Sequence, residues 1–184
     1  MASTYVNNLR LNEMATGDGS GTWGTTTNTN LELIGEALGY GTEGITTNAD
    51  THSTTVADGS SDAGRAMFLK YTGALDSACT VTIGPNTMKR VQFIENATTG
   101  SQNLVISQGT GANITIPPGD VKVVYLDGAG SGAAVVNAFS DLNIGTSSGG
   151  ATVNGITSKT FGTSSIMIGD NATGTIDAAN HNTG

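Results

Sequence analysis

Hydrophobic residues recur in this 184-residue chain in three different ways, and each predicts a different kind of structure. Between Thr29 and Gly39 the spacing is helical. Leu31, Ile34 and Leu38 fall at i, i+3 and i+7 and form one apolar stripe. Thr29 and Glu32 fit a capping box at its start, and Gly39 follows as a stop. The pattern predicts a helix of two to three turns, too short to persist alone. Its stripe has to dock within the chain or on a partner. Upstream, Thr16 to Gly24 reads as a glycine-rich loop carrying Trp23, the only tryptophan.

From Gly44 to Ser140 the period changes to two. Short apolar–polar alternations at 66–71, 79–83, 90–95, 103–107, 113–116, 121–126 and 133–137 are separated by Gly, Pro, Asn and Ser, which predicts seven or more short strands. Pro118 and Gly119 suit the two central positions of a type II turn, which needs a fixed negative φ and then a positive one. Strands of this number and spacing suit an antiparallel β-sandwich. Phe68, Tyr71, Phe93 and Tyr125 lie in these apolar strands and are expected to face the core.

From Asp141 to Gly184 the pattern thins. Nine large apolar residues, among them Val153, Phe161 and Ile166, are spread through Gly, Ser, Thr and Asn. A single chain of that make-up buries too little area to offset its ordering entropy. Either the segment stays disordered or it winds with identical chains. Its regular apolar placement and the near-echo between the runs starting at Asn154 and Asn171 favour winding. Three segments result: an N-terminal segment 1–43, a β domain 44–140 and a shaft-like segment 141–184.

Composition sharpens this picture. Only 12% of residues are charged and 27 are Gly, which argues against long surface helices and for many turns. The net charge of −8, with seven scattered Lys and Arg, is wrong for a phosphate backbone, so nucleic-acid binding is not expected. No apolar run approaches the roughly 20 residues of a spanning helix, and Met1–Tyr5 lacks the features of a signal peptide. No membrane insertion is expected, and synthesis is expected in cytosol. Cys79, the single cysteine, sits in an alternating run and is expected to pack as a small hydrophobe.

Candidate chemistry is sparse, and the chain is read as a non-enzyme with no metal or cofactor. His52 and His181 lie at no metal-ligand spacing from each other or from Cys79. His52 reads as a polar residue in a Thr/Ser-rich strand. The glycine clusters at Gly17–Gly21 and Gly109–Gly111 lack the Lys-Ser/Thr of a phosphate loop and read as turns. Asp58 and Asp62 could hold a cation between them but lack the further ligands of a calcium loop. Trp23 is different: in so polar a segment it either plugs a local core or anchors an interface.

The residues around Trp23 carry a resemblance. Thr22-Trp23-Gly24, followed by Thr27-Asn28-Thr29-Asn30-Leu31 and Leu33-Ile34, resembles the amino-terminal motif of bacteriophage tail fibre and tail structural proteins, marine phages especially. Phe93–Asn96 and Ile116–Asp120 look like the jelly-roll-like domain that follows it, and Ile166 to Gly184 is similar to the run-in to shaft repeats. The resemblance implies a virion structural protein, assembled in the host cytoplasm as a homotrimer. Trp23, Asn28, Asn30, Leu31 and Ile34 would form its attachment interface to a tail adaptor, nozzle or other tail protein, with only indirect contact to the host cell surface. The alternatives are a capsid head fibre or decoration protein, a glycan-binding module, and a polysaccharide-depolymerising spike.

Overall fold

The computed structural model describes residues 3–140, 152–153, 156–161 and 165–168. The chain divides into two compact units, Met1–Ser140 and Asp141–Gly184. The first is mainly β: two stacked sheets preceded by one helix. The helix, α1 (Trp23–Ala37), leads into β1 (Tyr40–Gly44), β2 (Thr51–Thr55), β3 (Phe68–Thr72), β4 (Cys79–Gly84), β5 (Arg90–Asn96), β6 (Leu104–Ser107), β7 (Ile114–Ile116), β8 (Val121–Leu126) and β9 (Val135–Asn137). The junction between Glu43 and Gly44 thus lies inside a strand.

Each predicted strand from Phe68 onward forms, shifted by at most two residues at either end. The pairing differs from the antiparallel sandwich expected. One sheet runs β1-β3-β5-β8-β9 and the other β2-β4-β6-β7. Within them β1, β3 and β5 are parallel, as are β2, β4 and β6; only β5-β8-β9 and β6-β7 pair antiparallel. The reason is the path of the chain. From β1 to β6 every connection crosses to the opposite sheet, so strands of one sheet meet two elements later and point the same way. A parallel pair needs such a crossover, usually a helix; here a strand of the other sheet serves. The result is three coils of a two-sheet solenoid, closed by antiparallel strands. A jelly roll, built from antiparallel strands, is not what forms.

The coils stack like on like, as repeats that bury their faces against neighbours do. Tyr40 sits beside Phe68 and Phe68 beside Phe93 in one sheet; Thr51 sits beside Thr80 and Thr80 beside Val105 in the other. Between the sheets lies one apolar core that includes Leu69, Ile94 and Val124 from the first and Val81, Ile83 and Ile106 from the second. Cys79 is fully buried in it, as expected, and burial raises its thiol pKa.

Two turns show the glycine requirement directly. Gly119 takes φ +80° in the Pro117–Asp120 turn, where the Asp120 amide donates to the Pro117 carbonyl, as predicted. Gly100 takes φ +98°, and a Cβ there would stand 1.8 Å from the Leu75 carbonyl oxygen.

In the second unit the backbone forms a small antiparallel sheet, β10 (Thr152–Val153), β11 (Ile156–Phe161) and β12 (Ser165–Ile168), with Val153 opposite Ile156 and Thr160 opposite Ile166. The rest of the shaft-like segment lies outside the described residues.

Candidate functional site

The helix begins six residues before the predicted cap. Positive φ at Gly17, Gly19 and Gly21 turns the chain tightly, and the Thr22 and Trp23 amides donate to the Gly19 carbonyl. Thr22 is the N-cap residue, without a side-chain cap bond, and Thr29 lies in mid-helix. The capping box is therefore not used. The loop reading missed that three consecutive threonines, poor helix formers, are carried by a start fixed upstream. At the other end Gly39 follows the cap residue Leu38, as predicted, but without positive φ.

The predicted stripe exists and points outward. Leu33 and Ala37 are the helix residues buried against the body, near β1 and the 3-10 turn Ala63–Arg65. Leu33 is 2% exposed, whereas Leu31 is 61% and Leu38 69% exposed, with Ile34 also at the surface. Trp23 is 65% exposed, which removes its reading as the plug of a local core. At 3.6 residues per turn, Trp23, Leu31, Ile34 and Leu38 share about 80° of arc. Asn28 is exposed nearby. Asn30 is different: it accepts from the Asn12 amide at 3.0 Å and donates to the Asn12 carbonyl at 2.9 Å, which ties the N-terminal segment to the helix. Of the five attachment candidates, the structure brings Trp23, Leu31 and Ile34 onto one face and uses Asn30 internally.

A second apolar surface lies on the outer face of the five-stranded sheet. Phe68, Phe93 and Tyr125, expected in the core, point away from it; Tyr71 alone of that group is buried. Tyr40 stacks on Phe68 at a ring-centroid separation of 5.5 Å, and Phe68 on Phe93 at 6.3 Å. Val91, Tyr125 and Val136 form the next row. Alternation could not orient this sheet because both faces carry apolar residues. Polar groups inside decide it. Gln92, fully buried, donates to the Gly64 and Ala66 carbonyls at 2.9 Å each, and Arg90 donates to those of Arg65 and Ala66. Burial, with the Arg65 charge adding to it, pulls the Arg90 pKa down to about 10, against the opposing pull of Asp62.

The remaining polar clusters are internal ties. Arg65 is fully buried and donates to the carbonyls of Leu9, Ala57 and Ser60 and to Asp62 Oδ2. Asp58 pairs with Arg10 at 2.6 Å. The two carboxylates considered as a cation pair are thus each engaged by an arginine. Glu43 Oε1 sits 2.7 Å from His52 Nε2 and accepts from Thr54 Oγ1 at 3.1 Å, while Thr54 Oγ1 lies 2.7 Å from the Tyr71 hydroxyl. This network joins β1 and β3 to β2 at one margin of the core. Burial holds the Tyr71 phenol neutral far above its usual range. Among the described residues no group of three or more His, Cys, Asp or Glu side chains is placed to hold a metal ion, and no helix is long and apolar enough to cross a membrane.

Comparisons with protein-family models, with curated proteins and with solved structures give no significant match to the chain.

Proposed function

We propose that the chain is a structural protein of a bacteriophage virion, a tail fibre component anchored through its N-terminal segment. Its partners are sister chains in a homotrimer and a tail adaptor, nozzle or other tail protein, and the fibre supports a distal region that meets the host surface. One observation carries this reading: the residues that resemble the attachment motif of tail fibres include the exposed stripe Trp23, Leu31 and Ile34. An exposed tryptophan is the kind of anchor that dominates interface energetics. The shaft-like role of residues 141–184 belongs to the same proposal.

The test is imaging of virions labelled on this protein, with Trp23→Ala and Leu31→Asp variants alongside. Label on the tail, and loss of fibres in the variants while their β unit stays folded, is the expected outcome. Normal fibre occupancy in both variants contradicts the attachment role, and label on the capsid would make the protein a head fibre or decoration protein.

A second reading is favoured by the aromatic row Tyr40, Phe68 and Phe93, since glycan-binding modules offer aromatic rings to sugars. Specific binding on a glycan array, lost in Phe93→Ala, would support it.

A further inference from the structure

We propose that the outer face of the five-stranded sheet is a self-association surface, and that its occupant is a second copy of this chain. The face is built by the outward positions of β1, β3, β5 and β8: Tyr40, Phe68, Val91, Phe93, Val121 and Tyr125. Five of these are exposed, Val91 at 54%. Taking roughly 150–250 Å² for a whole aromatic side chain and less for valine, the exposures correspond to about 400 Å² of surface, most of it apolar. The largest patch on a typical monomer spans about 300–600 Å². One side of a standard interface covers about 800 Å², of which about 57% is apolar, so the face offers most of the apolar share that a stable pair of copies needs.

Charge points to the same occupant. The chain carries a net −8, which opposes self-association in general. On this face the only charged outward residues of the five strands are Lys70 and Glu95, adjacent in register and 3.5 Å apart. They compensate each other, so this face adds no like-charge repulsion of its own. A sugar-binding face requires polar groups beside its rings to fix hydroxyls, whereas Phe93 and Tyr125 sit mainly among Phe68, Val91, Val123 and Val136, and the one charged neighbour, Glu95, is already paired with Lys70. Apolar surroundings suit protein better than glycan. The stacked rings are pre-ordered by the sheet, which lowers the entropic cost of docking.

This surface uses other residues than the helix stripe, and the inference does not depend on the virion reading: it is tested on purified protein in solution. Sedimentation velocity of the full chain across the micromolar range is expected to show reversible association. Val91→Asp and Phe93→Asp are each expected to weaken it by about thirty-fold or more, the scale of an interface hot spot. Thr82→Asp, on the outer face of the other sheet, is expected to leave it unchanged. Circular dichroism and thermal melting confirm the fold, and Tyr125→Ser gives a milder variant should an aspartate disturb it. A wild-type chain that stays monomeric at about 100 µM overturns the proposal. So does association that survives all three face variants, which would place the contact elsewhere, residues 141–184 included. Glycan binding by a monomeric wild type, lost in Phe93→Asp, would reassign the face to sugar.

Discussion

The two sheets of the body share a core and a strand chemistry, yet their outer faces differ. On the four-stranded sheet the outward rows are Thr51, Thr80, Val105 and Thr115, then Ser53 and Thr82. These β-branched and hydroxyl residues suit a pleated surface in water. On the five-stranded sheet the corresponding rows are Tyr40, Phe68, Phe93 and Val123, then Val91, Tyr125 and Val136. Strand formation requires neither choice, since both faces pair equally well. The difference therefore records what each face meets: solvent on one side and, by our inference, protein on the other. It also shows why a strand rich in valine and phenylalanine is a poor guide to where the core lies.

The largest effects should come from the inward side. Arg65→Met removes the donor that holds the Leu9, Ala57 and Ser60 carbonyls and leaves Asp62 without this partner, and is expected to cost about 3–5 kcal/mol. Urea denaturation measures it, and early proteolysis near Arg10 would show the N-terminal segment released. A loss below about 1 kcal/mol would mean that this cluster does not hold the N-terminal segment to the body.

Next in size is a direct contrast within β5. Ile94→Ala, facing inward and fully buried, should cost about 2–5 kcal/mol. Val91→Thr, three residues away and facing outward, should change the stability of the dilute protein by less than about 0.5 kcal/mol. Equal losses at the two positions would break the inside–outside assignment.

The core network adds a pH effect. Because the folded-state pKa of Tyr71 lies above its unfolded value of 10.0, its contribution is complete below pH 10 and is lost as pH rises further. Arg90 acts in the opposite sense, since its folded pKa of about 10 lies below its ordinary value. Just above pH 10 the two effects oppose each other and stability should change little, whereas Tyr71→Phe should leave the Arg90 effect alone and make stability rise with pH; an unchanged profile would remove Tyr71 as a contributor.

The smallest stability effect, and the sharpest use of the comparison, is Thr80→Val with Thr82→Val. These make the second outer face resemble the first, with stability expected within about 0.5 kcal/mol. Sedimentation should then reveal added association through the new apolar rows. No change would show that aromatic rows, rather than aliphatic area, distinguish the two faces.

Much of this was legible beforehand. Local pattern located the strands from Phe68 to Asn137, because period-two alternation and turn residues act within a few neighbours. The Pro118–Gly119 turn and the burial of Cys79 were read correctly for the same reason. The helix was placed but its start was not: Gly17, Gly19 and Gly21 and the Gly19 carbonyl set it, not Thr29. In the candidate site, Trp23, Leu31 and Ile34 were picked out by type and spacing. Asn30 could not be separated from them, because its partner Asn12 lies far back along the chain.

What the sequence determined by itself was therefore the β-rich class, the positions of most strands and an apolar stripe in need of a partner. Only the tertiary structure decided how the strands pair and which way they face. Parallel pairing arose because each connection crosses to the opposite sheet, a non-local choice that alternation does not encode. Facing was decided in β5 by Arg90 and Gln92, which turn inward to satisfy the carbonyls of Gly64, Arg65 and Ala66. Buried backbone carbonyls must be paired. Meeting that demand with polar side chains places Val91 and Phe93 on the outside.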